Sequence, residues 1–101
     1  MKYNIDDFAA QLIKDKGITG LSKELMDQLR HDLVERAENI IIAEMVNNMP
    51  KDKLADFEKK IDKGNDSEIQ EFCSKHIKNL DEVVAGALLR LREIYLANVL
   101  N

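Results

Sequence analysis

Apolar residues recur along the chain at the three- and four-residue spacing of amphipathic helices. The first such stripe consists of Ile5, Phe8, Ala9, Leu12 and Ile13. Gly17 follows it and suits a left-handed helix terminator. Ser22 is a favourable N-cap for a second helix, whose apolar pattern continues almost to Pro50. The spacing predicts a first helix over residues 4–15 and a long second helix over residues 22–47.

Three further apolar patterns follow, each bounded by turn or capping residues. Pro50 suits the first turn of a third helix, and Gly64 suits its end. Asn65 and Asn79 each stand three residues before a glutamate, which is the spacing of a capping box. The patterns predict helices over residues 50–62, 66–76 and 79–98.

The composition agrees with an all-helical domain. Residues of high helix propensity dominate, and the chain has only four Gly and one Pro. At 101 residues it has the usual length of one domain with one hydrophobic core. We therefore predict an all-α fold over residues 1–101: an irregular bundle of about five helices, packed on the long second helix and the long C-terminal helix.

Charge and cysteine content narrow the classes of function. The net charge is −4, and acidic and basic residues are spread over both halves of the chain, so no general affinity for nucleic acid is expected. Cys73 is the single cysteine, so no intrachain disulfide can form. The N-terminal residues include acids and no long apolar run, and no apolar stretch is long enough for a spanning helix. These features predict a cytoplasmic protein without a membrane segment.

Two pairs of residues are candidates for metal, ligand or catalytic chemistry. Cys73 and His76 lie three positions apart on one predicted helix, like half of a zinc site, but a structural zinc site needs four ligands. His31 and Glu35, with Glu38, share one face of the second helix, but the sequence has no Glu-x-x-His motif of a di-iron site. A core cysteine and a surface histidine explain the same positions, so we predict no cofactor and no enzymatic activity. A small metal-binding, ligand-binding or catalytic protein is the alternative.

A second alternative rests on the basic residues of the third helix. Lys59, Lys60 and Lys63 are the best candidates for a local basic face, which would suit a regulator that docks on a nucleic-acid machine. Solvated surface lysines account for the same pattern without any such role.

The second helix carries more apolar residues near its C-terminal end than a single core-facing stripe needs. They are Ile40, Ile41, Ile42, Met45, Val46 and Met49. A large apolar helix surface must be covered, either by the fifth helix or by a second copy of the chain. We therefore predict a protein–protein interaction module that forms a homodimer, with Ile42, Met45, Val46 and Met49 at the interface. A monomer that buries this helix on all sides is the alternative.

Several segments resemble one family of short, uncharacterised bacterial proteins, common in candidate-phylum (Patescibacteria) genomes. The resemblance rests on residues 49–58 (MPKDKLADFE), 61–64 (IDKG), 68–72 (EIQEF) and 77–80 (IKNL), and extends over about residues 17–97. Where such proteins often have a proline before the last helix, this chain has Lys78. The resembling positions are caps, turns and core residues, so the resemblance implies a helical fold and a bacterial cytosolic setting but no activity.

Overall fold

The computed structural model describes residues 4–97, and all of its regular structure within that range is helical. Its elements are α1 (Ile5–Lys16), α2 (Lys23–Asn48), a short 3-10 helix (Lys51–Lys53), α3 (Leu54–Lys63), α4 (Asp66–His76) and α5 (Leu80–Ala97). The predicted all-α class, with a long second helix and a long C-terminal helix, is confirmed. The predicted end of the fifth helix at residue 98 lies outside the described residues.

Side-chain caps fix the start of three helices. The carboxamide oxygen of Asn4 accepts a hydrogen bond from the Asp7 amide at 3.0 Å, and that of Asn65 accepts one from the Glu68 amide at 3.1 Å. Ser22 caps α2 in the same way, with 3.2 Å between its hydroxyl oxygen and the Leu25 amide nitrogen. Each cap satisfies one backbone donor that the helix itself leaves unpaired.

The third helix begins later than predicted. Pro50 has extended backbone angles (φ −56°, ψ 139°), and residues Lys51–Lys53 form a 3-10 turn before α3 starts at Leu54. The amide of Lys53 donates to the carbonyl of Pro50 at 2.9 Å, which closes this turn. Tight 3-10 turns are frequent at helix N-termini, and the apolar spacing that predicts a helix does not distinguish them.

The bundle is built around α2 and α5, which make the most extensive helix–helix contact. Arg90 of α5 is paired with Glu44 of α2 at 2.7 Å, while Tyr95 further along α5 packs in the cluster of Leu33 and Ala37, earlier in α2. The two helices therefore run antiparallel. Helix α1 packs against both α2 and α5, in agreement with the prediction that the bundle is packed on these two long helices.

The core consists of two clusters along an elongated molecule of 48 × 24 × 23 Å. One cluster surrounds Phe57 and joins the C-terminal half of α2 to α3, α4 and the start of α5. The other surrounds Leu33 and joins the middle of α2 to α1 and the end of α5. Among the helices of residues 4–97, α2 alone contributes two or more buried residues to each cluster. No helix in the described part of the chain is long and apolar enough to cross a membrane.

Candidate interaction surface

The four residues predicted to form an interface divide between core and surface. Met45 and Met49 are each 6% exposed and belong to the cluster around Phe57. Val46 is 38% exposed, and Ile42 is half-buried. The accessible part of the predicted surface is therefore Ile42 and Val46, one helical turn apart on α2.

Helix α4 accounts for the burial of Met45. The Cys73 thiol lies 3.5 Å from the Met45 sulfur, and both side chains are packed in the same cluster. Helix α3 contributes Phe57, which is fully buried there. One side of the apolar C-terminal half of α2 is thus covered by the chain's own α3 and α4, whereas the side with Val46 is left in contact with solvent.

An open, partly apolar cleft adjoins this exposed side. It lies between the start of α1, the C-terminal half of α2 and the first turn of α4, and it has a volume of about 280 Å³. Its lining residues are Ile5, Glu38, Ile41, Ile42, Met45, Asp66, Ser67, Ile69 and Gln70. Ile42 lines the cleft and stands one turn from Val46, so the two features form one partly apolar surface, which we call the Val46 face.

Acidic residues lie at one end of the Val46 face. Glu35 and Glu38 lie on the same side of α2 as Ile42, at helical spacing, and Asp66 adds a third carboxylate at the cleft. Beyond the other end of α2, the 3-10 turn carries Lys51 and Lys53 on either side of Asp52.

Residues 12–95 of the chain match the family described as "Protein of unknown function (DUF5663)". The chain belongs to this family. The expected resemblance to a family without known activity is thereby confirmed. No curated protein and no solved structure matches the chain. The DUF5663 match contains α2, α3 and α4 entirely, so it includes both Ile42 and Val46 and every residue that lines the cleft except Ile5.

In this DUF5663 chain, Cys73 and His76 have different surroundings. Cys73 is fully buried, and burial raises the pKa of its thiol to about 11. Such a thiol is protonated at neutral pH, whereas a nucleophile or metal ligand must be a thiolate. His76 instead packs against Phe72, with 4.5 Å between the ring centroids. The structure thus gives both residues packing partners.

His31, Glu35 and Glu38 are all on the surface. His31 Nε2 lies 3.2 Å from a carboxylate oxygen of Glu35, in an i, i+4 pair with both side chains well exposed. Glu38 contributes to the cleft rather than to this pair. Within residues 4–97 there is no group of three or more His, Cys, Asp or Glu side chains placed to hold one metal ion.

The basic residues of α3 surround an aromatic ring. Lys59, Lys60 and Lys63 line a shallow groove with Asp56 and Phe72, and the Lys60 ammonium lies 5.8 Å from the centre of the Phe72 ring. Glu68 and Glu71 of α4 lie on the other side of Lys60 and Phe72. Lys75 lines the same groove as these carboxylates, so charges of both signs surround Lys60 and Phe72.

Large apolar residues outside the predicted interface are also exposed. Leu89 of α5 is 56% exposed, Leu25 at the start of α2 is 54% exposed and Ile94 is 46% exposed. Sequence reasoning did not assign these residues to a surface. The exposure of Leu89 could have been predicted from helical spacing, because Leu89 lies on the opposite side of α5 from the buried residues Val84, Ala87 and Leu91.

Proposed function

We propose that this protein is a non-enzymatic interaction module that forms a homodimer through the Val46 face. The observation that carries the proposal is the exposure of Val46 beside the partly apolar cleft that Ile42 lines. Apolar side chains at an accessible surface next to a cleft favour association because their burial removes them from water. A second copy of the chain is the occupant because closed two-fold pairs are the commonest soluble oligomers.

The charges of the Val46 face support a two-fold pairing. When two α2 helices run antiparallel with Ile42 of one chain against the partner's Val46, positions equally far before and after Glu44 face each other. The antiparallel arrangement also keeps the Glu35 and Glu38 carboxylates of the two chains at opposite ends of the interface. These charges favour the orientation of the pair, while the apolar residues supply most of the affinity.

Two single substitutions, each of which places a charge in the proposed interface, test this proposal. We expect Val46→Glu and Ile42→Glu to weaken the dimer at least tenfold, because burying an unpaired charge costs more than about 1.4 kcal/mol, which corresponds to tenfold. The measurement is the molar mass by light scattering behind size exclusion, with helix content followed by circular dichroism. Neither residue belongs to the buried core, so both variants should keep their helical signal.

Leu89→Glu is the matched control, because it makes the same apolar-to-acid change at a more exposed position on another helix. We expect this variant to remain a dimer. If Leu89→Glu gave monomers while Val46→Glu did not, the outer face of α5 would be the interface and the proposed surface would be wrong. Dimers that persist in both variants would also contradict it.

A further inference from the structure

A second cleft lies between the end of α1 and the first half of α2, near the opposite end of α2 from Val46. It has a volume of about 220 Å³ and its surface is mainly apolar. Its lining residues are Ala10, Ile13, Lys14, Ile18, Thr19, Met26 and Arg30. Cavities of about 150 Å³ with apolar walls are large enough to take benzene, so this cleft has room for a small ring or a short aliphatic chain.

The turn after α1 builds one wall of the cleft. Gly17 has a left-handed backbone (φ 81°), which only glycine adopts without strain. The Gly17 amide donates to the Lys14 carbonyl at 3.0 Å, and the Ile18 amide donates to the Ile13 carbonyl at 3.3 Å. These bonds fold Ile18 back onto the last turn of α1, where it packs against the same core cluster as Met26. The cleft is therefore held by the fold.

Within residues 4–97, two cations, Lys14 and Arg30, and no carboxylate line this cleft. The Arg30 guanidinium is 3.2 Å from an oxygen of Asp27 and 3.9 Å from one of Asp6, so nearby carboxylates balance its charge. Lys14 is exposed, and Asp15, the carboxylate on which its charge acts, is already paired with Arg92. A lysine ammonium beside an apolar cleft is complementary to a molecule with an apolar body and one negative charge.

We propose that this cleft binds a small apolar carboxylate, such as a short-chain fatty acid. The hydrocarbon part lies against Ile13, Ile18 and Met26, and the carboxylate oxygens accept hydrogen bonds from the Lys14 ammonium. The size of the cleft selects a small molecule over a protein segment, whose contact area would extend well beyond it. The site is separate from the Val46 face, so it does not depend on the proposed dimer.

Sodium hexanoate is the test ligand, and 1-hexanol and hexylammonium chloride are its neutral and cationic counterparts. We expect hexanoate to shift the backbone amide resonances of residues 10–19 and 26–30 in ¹H–¹⁵N correlation spectra, in a saturable manner. Lys14→Met should weaken hexanoate binding about tenfold while leaving hexanol binding unchanged, because only the carboxylate loses a charged hydrogen-bond donor. Lys14→Arg should restore most of the affinity.

Two control variants test whether hexanoate binds in this cleft rather than elsewhere on the protein. Lys63→Met removes an exposed lysine of α3 far along the chain from the cleft and should leave hexanoate binding unchanged. Ala10→Phe places a ring at an exposed position that lines the cleft, and should abolish the shifts with both hexanoate and hexanol. Three results would each overturn the proposal: the absence of saturable shifts at these residues, equal affinity for hexanoate and hexanol, or shifts centred on Lys59 and Lys63 instead.

Discussion

Met45 and Val46 are adjacent on α2 but occupy different environments. Met45 is packed among residues of α3, α4 and α5, while Val46 is partly exposed. Truncating Met45 leaves a cavity that its close-packed neighbours cannot fill, whereas truncating Val46 removes only partly hydrated methyl groups. The same type of substitution should therefore have very different effects at these two positions.

The stability of two alanine variants tests this difference. We expect Met45→Ala to lower the free energy of unfolding by about 2–5 kcal/mol, the range for buried large-to-alanine changes. Val46→Ala should lower it by less than about 1 kcal/mol, measured by urea denaturation at a concentration where one oligomeric state prevails. Equal losses at both positions would mean that Val46 belongs to the core of the monomer.

Cys73 gives a second prediction for a single residue. Its thiol is fully buried, and burial raises its pKa to about 11, so the reactive thiolate is scarce at neutral pH and out of reach of reagents. We expect Ellman's reagent to modify Cys73 at pH 8 only when the protein unfolds, with full labelling in urea. Rapid labelling of the folded protein would contradict the assignment of Cys73 to the core.

Among the elements, α1 and α5 are joined by polar contacts at their C-terminal ends. Arg92 of α5 is paired with Asp15 of α1 at 2.5 Å, and the Lys16 ammonium donates to the Tyr95 carbonyl at 2.7 Å. Hydrogen bonds from Arg92 and then Gln11 hold the pKa of Asp15 below its ordinary value. A carboxylate whose pKa is lowered by folding stabilises the protein fully above its unfolded pKa, and this contribution is lost as the pH falls through the folded pKa.

The pH dependence of stability tests the contact between Asp15 and Arg92. We expect the thermal midpoint of Asp15→Asn to fall less than that of the unaltered protein between about pH 5 and about pH 2. Asp62→Asn is the control, since Asp62 is an exposed aspartate of α3 outside the ion pairs of the structure. If Asp15→Asn and Asp62→Asn gave the same pH profile, the pair would contribute nothing to stability.

The helices themselves were largely predictable because their ends depend on local chemistry. Ser22 and Asn65 cap the helices that they were expected to cap, and Gly17 and Gly64 end helices in the left-handed conformation. The 3-10 turn after Pro50 was not predicted, since a proline before an apolar stripe fits a helix of either kind. Local signals therefore located the elements to within a few residues.

The candidate surface was less predictable because burial depends on packing between helices. Ile42, Met45, Val46 and Met49 are all apolar, so the sequence pattern offered no reason to separate them. Met45 and Met49 are buried because α3 and α4 fold back over one side of α2, a tertiary contact that helical spacing does not specify. The second cleft was missed for a similar reason, since it requires Ile18 and Met26 to meet across a turn.

At the scale of the whole molecule, α2 connects two core clusters and carries the Val46 face on its solvent side. The elongated shape leaves much of this helix accessible, so a second copy can lie along it without rearrangement of the core. We propose that a second chain covers the apolar side of α2 that the monomer leaves exposed. The native protein, without any substitution, tests this proposal most directly.

That test is the molar mass of the native protein by light scattering behind size exclusion, at several loading concentrations. The account predicts a mass that rises with concentration toward twice the 11.6 kDa of one chain. This dependence follows from mass action for a reversible dimer. A mass that stays at 11.6 kDa up to millimolar concentrations would contradict the account, and Val46 would then be an ordinary exposed residue of a monomer.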